Sequence, residues 1–279
     1  MESHANGACS MNLEKAVRPV FVPIVLGLTL ILQLPRTLAA DKKGDWSVAV
    51  GGGVASLPKY PGADQQKIQA IPIISARYRR FFVGDAPGSG TPAGLGVFLH
   101  EDEHWKVGAA LGGDLYSSRK ERDDRRHLRG LGDIKGAARG GIFASYTLDW
   151  FSLHGGAFYD LKSHQGATAT LGAGARYSPF DRLVLTAGPD VVFANRQYVQ
   201  TFFGVTALQA MRSGYPEYTP KGGVPLIRFS LAANYQLNTR WSLGAAASAG
   251  RLEGDAARSP IVRNKNQTLV GVFAVYKFR

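Results

Sequence analysis

Polar and apolar residues alternate along many segments of this chain. In one of them, Ile227, Phe229 and Leu231 alternate with Arg228 and Ser230. Successive side chains of a β-strand point to opposite faces, so the pattern predicts strands with one apolar and one polar face. About twelve strands are predicted on this criterion, with ten as the alternative count. They lie at 46–57, 68–78, 81–84, 94–100, 104–116, 136–149, 151–161, 166–177, 182–194, 223–237, 240–252 and 266–278.

These strands predict an all-β protein, an antiparallel transmembrane β-barrel of the outer membrane. Their length suits a tilted strand that crosses a bilayer, which needs about 9–11 residues. Short turns alternate with the longer connections 117–135, 195–222 and 253–265, as in barrels whose loops lie on one side of the membrane. A soluble sandwich is the alternative, but it would bury the charged mid-strand residues without partners.

All four tryptophans fall near predicted turns on the same side of this barrel. Trp46, Trp105 and Trp241 each lie near the start of a predicted strand, and Trp150 lies in a tight turn. Tryptophan favours the interface between membrane and water, so we expect an aromatic girdle at the periplasmic side.

The first forty residues are expected to be a signal peptide rather than part of the fold. Lys15 and Arg18 precede an apolar run at 20–34, and small residues follow at 39–40. The run is shorter than the roughly 20 residues of a spanning helix. We therefore predict a signal peptide at 1–40 and the barrel at 41–279, located in the cell outer membrane. Cys9 lies in the predicted signal peptide, so we expect no disulfide in the barrel.

The chain is basic, with a formal net charge of +12. Outside the cytoplasm, this charge favours an anionic lipid or polysaccharide partner over nucleic acid. The segment 117–129 reads SSRKERDDRRHLR and carries more cations than carboxylates. Its basic residues are candidate contacts for lipopolysaccharide phosphates, unless they pair with the acidic residues of the same loop. They are Arg119, Lys120, Arg122, Arg125, Arg126 and Arg129.

No arrangement of side chains indicates catalysis, a metal site or a cofactor. His100 and His104 flank three carboxylates, but a strand turn does not bring such a pair together as a helix would. His154 and Asp160 share a polar face but lie about 20 Å apart along their strand. We therefore expect no catalytic residues, no bound cofactor and no metal.

Two features leave the interior of the barrel open to interpretation. Glycines are frequent at positions that face the lumen, including Gly51, Gly108 and Gly244, and small residues there leave space for bulky neighbours or for water. The segment 195–210 has apolar residues near helical spacing and predicts a short amphipathic helix. We expect this helix to pack over the mouth of the barrel; binding a partner is the alternative.

Several short motifs give the chain a resemblance to a known family. They are Tyr60–Asp64, Gly130–Ile134, Phe203–Thr206 with Ser213 and Gly214, and Arg251–Val262. Together they resemble the MipA/OmpV family, the MltA-interacting proteins, over nearly the whole barrel. Within them, the family-motif positions, whose roles the resemblance does not assign, are Tyr60, Pro61, Gly62, Gly132, Asp133, Phe203, Gly204, Arg251, Asp255, Ser259 and Pro260.

The resemblance implies a non-enzymatic scaffold for murein, or peptidoglycan, synthesis. Such a protein brings a lytic transglycosylase together with a penicillin-binding murein synthase at the outer membrane. We expect a monomeric barrel in contact with lipid and lipopolysaccharide. A small passive channel, or a surface receptor or adhesin, is the alternative, because the expected lumen is polar and rich in glycine.

Overall fold

A computed structural model describes residues 46–85, 94–114, 118–161 and 166–278. The predicted signal peptide lies outside these residues. The described chain forms a closed antiparallel barrel in which each strand pairs with its neighbours in sequence and the last strand pairs with the first. The prediction of an antiparallel barrel of twelve strands is confirmed.

The strands agree closely with the alternation of the sequence. They are β1 (Trp46–Pro58), β2 (Gln66–Tyr78), β3 (Phe81–Gly84), β4 (Gly94–Glu101), β5 (Trp105–Asp114), β6 (Ala137–Thr147), β7 (Phe151–Asp160), β8 (Ala167–Phe180), β9 (Leu183–Ala194), β10 (Gly223–Gln236), β11 (Trp241–Leu252) and β12 (Asn266–Lys277). Between the strands, the described residues form four short helices: α1 (Arg125–Leu128), α2 (Arg196–Phe203), α3 (Ala207–Ser213) and α4 (Gly254–Arg258). A 3-10 turn at Glu121–Asp123 precedes α1.

The apolar face of the strands points outward. On β10, Ile227, Phe229 and Leu231 are each about half exposed, whereas Arg228 and Asn234 are buried at 6% and 2% exposure. A soluble barrel would place its apolar side chains inside, so this arrangement is that of a barrel whose exterior meets lipid. The protein is an outer-membrane β-barrel.

The two ends of the barrel differ in their connections. One end, here called the turn end, carries the connections 79–80, 102–104, 148–150, 181–182 and 237–240. The opposite end, the loop end, carries the longer connections and all four helices. Among the described residues, no helix combines the length and apolar character required to cross a bilayer.

The tryptophans form an aromatic belt at the turn end. Three of them pack against tyrosines of neighbouring strands in tilted or edge-on geometry. The ring centroids are 4.4 Å apart for Trp46 and Tyr78, 4.9 Å for Trp105 and Tyr146, and 5.1 Å for Trp241 and Tyr276. Trp150 lies in the turn between β6 and β7 and is exposed. The prediction that all four share one side of the barrel is confirmed, and such belts mark a membrane interface.

Two turns at this end are closed in the same way. The Asp102 carboxylate accepts hydrogen bonds from the backbone N–H groups of His104 and Trp105 at 2.8 and 2.7 Å. The side-chain oxygen of Asn238 accepts from Arg240 and Trp241, both at 2.9 Å. Short polar side chains that bond the backbone two or three residues onward fix tight turns. Each turn therefore directs a tryptophan into the belt.

Aromatic rings fill part of the interior by packing over glycines. Phe82, Phe98 and Phe143 form a cluster with ring centroids 4.8 to 5.9 Å apart, and Phe158 and Ala110 join it. Four glycines of the inner face each lie under a phenylalanine ring, which a Cβ atom at the glycine would overlap. The pairs are Gly96 with Phe82, Gly108 with Phe143, Gly141 with Phe158, and Gly244 with Phe273. The glycines of the inner face thus accommodate rings from neighbouring strands, and this part of the lumen is packed.

Replacing Gly244 by alanine is expected to destabilise the barrel by about 1–3 kcal/mol, the usual cost of overpacking a filled core. The new methyl group would displace the buried Phe273 ring. Gly52→Ala is the matched control, because a Cβ there lies 3.7 Å from its nearest neighbour, the Ile71 carbonyl oxygen. Urea unfolding in lipid vesicles, followed by the heat-sensitive migration of the folded barrel on gels, measures both variants. Equal stability of the two would contradict this packing.

Candidate functional site at the loop end

Four connections at the loop end fold into one compact body, here called the cap. They are 59–65, 118–136, 195–222 and 253–265. Two clusters of buried side chains hold them together. The first joins α2 to the inner face of the barrel and contains Ile134, Val192, Ala194, Tyr198, Val199, Phe202, Phe203, Leu226, Leu252 and Ala256. The second lies within the cap and contains Tyr60, Ala63, Leu128, Leu131, Val205 and Ile261.

Helix α2 forms the inner layer of the cap. The side chain of Asn195 caps its start by accepting a hydrogen bond from the Tyr198 N–H at 2.9 Å. Its apolar face, formed by Tyr198, Val199, Phe202 and Phe203, is almost fully buried. The spacing at 195–210 predicted one short amphipathic helix. The structure has two, α2 and α3, separated by residues 204–206, and α2 packs on the barrel as expected.

Helix α3 forms an outer layer and attaches to the loop that contains α1. Thr206 and Gln209 form a reciprocal capping box at its start, and Gly214 ends it in the left-handed conformation. The Gln209 side chain then donates a hydrogen bond to the Leu131 carbonyl oxygen at 2.5 Å. The longest loop is thereby tied to the loop that carries the arginine-rich segment.

The first family motif connects the shortest of the four connections to the last. The Tyr60 hydroxyl donates to the Ile261 carbonyl oxygen at 3.2 Å, and the Gly62 carbonyl accepts from the N–H groups of Arg263 and Asn264 at 2.7 and 3.0 Å. Gly62 has φ of +94°, and a Cβ atom added there would lie 2.7 Å from a side-chain carbon of Val262. Glycine is needed there because other residues strongly disfavour this conformation.

The last family motif connects the connection 253–265 to the connection 195–222. The Ser259 hydroxyl donates to the Phe203 carbonyl oxygen at 2.5 Å. The Asp255 carboxylate accepts from the Lys221 N–H at 2.7 Å, and the Asp255 carbonyl accepts from the Tyr218 hydroxyl at 2.8 Å. Motif residues that lie far apart in the sequence therefore meet in the cap, where their observed contacts connect its loops.

Arg119 lies inside the cap. Its side chain is 1% exposed, and one guanidinium N–H donates to the Phe202 carbonyl oxygen at 3.1 Å. Burial lowers the pKa of Arg119 to about 10, against the opposing effects of Tyr60, Asp133 and Glu121. Burial, followed by the nearby carboxylates of Asp124 and Asp64, raises the pKa of Tyr60 well above its usual value. Arg119 was a candidate contact for lipopolysaccharide phosphates, but a side chain buried in this way is not on the surface of the cap.

One group in the cap could ligate a metal ion. Asp64, Asp124 and His127 each place a ligand atom within 4.8 Å of the others. The Asp124 carboxylate and the His127 Nδ1 lie 2.9 Å apart in a buried hydrogen bond. Burial raises the pKa of Asp124, but the bond and charge of His127 outweigh it, so the pKa lies below its usual value. The hydrogen bond explains why Asp124 and His127 lie together without a metal ion. Asp64 is sixty or more positions away from them, so no local spacing in the sequence could indicate that it joins the group.

The residues considered for catalysis have other partners. His100 and Asp102 are hydrogen-bonded at 2.8 Å within an exposed turn, and backbone N–H groups, first that of Trp105, lower the pKa of Asp102 to about 2. Asp160 forms an ion pair with Arg139 at 2.8 Å, and His154 lies over Gly172. These contacts stabilise the turn and the barrel wall. They do not pair a nucleophilic side chain with a general base.

Buried charges on the inner face of the barrel pair across strands. The Arg228 guanidinium donates to both oxygens of Asp190, at 2.9 and 2.8 Å. The two residues face each other in the register of β9 and β10. Fork-shaped pairs of this kind are strong and specific in geometry. On the inner face of the barrel wall, the charge of Arg228 is therefore neutralised by the charge of Asp190.

Comparison with known proteins places these features in context. The family model described as MltA-interacting protein MipA matches residues 50–278. The MltA-interacting proteins of Escherichia coli (strain K12) and Shigella flexneri are each 25% identical over 242 residues, which cover 86% of this chain and 92% of the relative. Among solved structures, the KdgM porin has a TM-score of 0.40 and 10% identity, covering 83% of this chain and 100% of its own. The NanC porin has a TM-score of 0.42 and 8% identity, covering 82% and 98%.

Proposed function

Because this chain belongs to the MltA-interacting protein MipA family, we propose that it is a non-catalytic docking protein of the outer membrane. It holds a lytic transglycosylase close to a penicillin-binding murein synthase. The observation that carries the proposal is the match along nearly the whole barrel to relatives named MltA-interacting protein. In this role we take the chain to act as a monomer; its sheet closes between β1 and β12 and leaves no free strand edge for pairing with a second copy.

The packing of the interior supports docking over transport. The phenylalanine cluster fills one side of the lumen, and Arg228 and Asp190 neutralise each other on another side. Helix α2 packs its buried face against the inner wall at the loop end. A passive channel needs a continuous aqueous path, and side chains packed in this way oppose one.

We place the partner on the turn end, which faces the periplasm if both termini of the barrel do. The turns are short and held by hydrogen bonds, so they present their side chains with little loss of conformational entropy on binding. Two adjacent turns carry exposed cations, Arg182 and Arg240. The Gln236 N–H donates to the Arg182 carbonyl oxygen at 2.8 Å, so the two turns touch. They offer a basic patch of fixed shape.

The test is affinity purification of the full chain from detergent-solubilised envelopes, comparing wild type with the double charge reversal Arg182→Glu and Arg240→Glu. We expect wild type to recover a lytic transglycosylase and a murein synthase, and the double variant to lose about tenfold or more of both, since like charges at an interface oppose binding. The control is the double variant Arg122→Glu with Arg263→Glu, which makes the same change in net charge but at the loop end. It is expected to retain both partners.

Recovery of neither enzyme by the wild-type protein would overturn the docking proposal. Stepwise conductance of the wild-type barrel in planar bilayers would favour the passive channel instead. Equal loss of the partners in the turn-end and loop-end variants would overturn the assignment of the contact face.

A further inference from the structure

Four arginines converge on one cleft on the outer surface of the cap. The cleft has a volume of about 410 Å³ and lies between the loop containing α1 and the end of α3. Arg212 comes from the second of these loops, more than eighty positions away in the sequence, and no local pattern indicates that it joins the others. The lining residues are Arg125, Arg126, His127, Arg129, Arg212, Ser213 and Tyr215.

Packing beneath the cleft fixes its shape. His127 and Leu128 are buried under it, so α1 is anchored in the cap. Gly130, with φ of +83°, lets the two loops touch: a Cβ there would lie 2.6 Å from the backbone carbonyl carbon and oxygen of Arg212. The backbones that carry the arginines are thus held in place before any ligand arrives, which reduces the cost of ordering on binding.

Within the described part of the same loop, the acidic residues form no ion pair with the arginines. The Asp123 carboxylate accepts from the Lys120 N–H at 2.8 Å, and the Asp133 carboxylate accepts from the Glu121 N–H at 2.8 Å. Glu121 accepts from the Gly132 N–H at 2.7 Å, and Asp124 bonds His127. The loop's carboxylates therefore serve its own backbone and its histidine.

The four guanidinium groups consequently remain available. In the part of the chain that the structure describes, the side chains of Arg125, Arg126, Arg129 and Arg212 are exposed and make no ion pair or hydrogen bond. Four like charges held around one cleft repel one another, so an anion that neutralises them gains binding energy. Of the two alternatives for this loop, pairing among its own charges and contact with an anion, these exposed guanidinium groups favour the anion.

We propose that this cleft binds the phosphate groups of a phosphorylated saccharide, and that the phosphorylated sugars of lipopolysaccharide are its occupant. Guanidinium groups match phosphate through paired hydrogen bonds, and four of them suit more than one phosphate. The volume exceeds what a single inorganic phosphate requires and accommodates a sugar. Tyr215 also lines the cleft, and an aromatic side chain is suited to pack against a sugar ring. Lys120 and Arg122 do not line the cleft.

The test uses the full chain in lipid nanodiscs and calorimetric titration with the deacylated, phosphorylated oligosaccharide of lipopolysaccharide. We expect saturable binding that weakens steeply with salt, because phosphate contacts are electrostatic. Arg126→Ser and Arg212→Ser, one from each loop, are each expected to raise Kd by about tenfold, as expected for loss of a charged hydrogen bond. Arg263→Ser removes the same charge from another exposed part of the cap and is the matched control. Heat-sensitive gel migration checks that each variant is folded.

Two further probes separate the sources of the phosphate. The same oligosaccharide after chemical dephosphorylation is expected not to bind. Inorganic phosphate is expected to bind at least tenfold more weakly than the phosphorylated oligosaccharide. Equal affinity for inorganic phosphate would overturn the saccharide assignment, and binding unchanged by dephosphorylation, or by both cleft variants, would overturn the cleft. None of these results depends on recovery of a murein enzyme, so the cleft and the docking proposal fail separately.

Discussion

Replacing Asp190 by alanine is expected to lower the free energy of unfolding of the barrel by about 3–5 kcal/mol, the usual cost of removing one partner from a buried ion pair. Asp190 and Arg228 are both 6% exposed, and the guanidinium would lose both of its bonds to the carboxylate. The guanidinium charge would then remain inside the barrel wall without the carboxylate that faces it. Urea unfolding in lipid vesicles measures the loss.

A double-mutant cycle supplies the control for this pair. Asp190→Ala combined with Arg228→Ala removes both charges, so the double variant is expected to be clearly more stable than Asp190→Ala alone. If the losses of the two single variants simply add, the two residues do not interact as the structure has them.

Replacing Phe203 by alanine is expected to destabilise the cap by about 3–5 kcal/mol, the range for truncating a buried phenylalanine. Its side chain is 0% exposed in the cluster that joins α2 to the barrel wall. The effect should be confined to the cap, since the strands retain their ladder and local units can open separately. Hydrogen exchange should therefore rise in residues 195–222 and remain low in the strands.

Met211→Ala is the matched control for the cap, because this side chain lies on α3 and is 79% exposed. It should leave exchange within 195–222 close to that of wild type. Unchanged exchange in the Phe203 variant would mean that the buried helix does not hold the cap on the barrel.

The positions of the strands followed from the sequence because alternation is a local property. Whether residue 227 faces lipid and residue 228 faces the interior depends only on the pleat of one strand. The polarity of the two faces then decides between a soluble and a membrane barrel, and the tryptophans at the starts of β1, β5 and β11 mark one interface. The helix at 196–203 was predictable for the same reason, since its apolar face repeats within a few residues.

Which side chains contact each other on the inner face could be assigned only from the register between strands. Arg228 and Asp190 both lie on the polar face that the sequence predicts, but only the pairing of β9 with β10 brings them together. The glycines of the inner face were likewise visible in the sequence. That Phe273 lies over Gly244 and Phe143 over Gly108 depends on which strands neighbour one another.

The sequence by itself determined a barrel with its apolar face outward and a belt of aromatic residues, because these depend on the period of a strand and the solvent around it. Only the tertiary structure decided that Tyr60 meets Ile261 across 201 positions, that Arg119 is buried, and that Arg212 joins Arg126 in one cleft. Contacts between distant loops arise when the closed sheet fixes the ends of each connection. Their side chains then select partners by packing and hydrogen bonding, which no local pattern encodes.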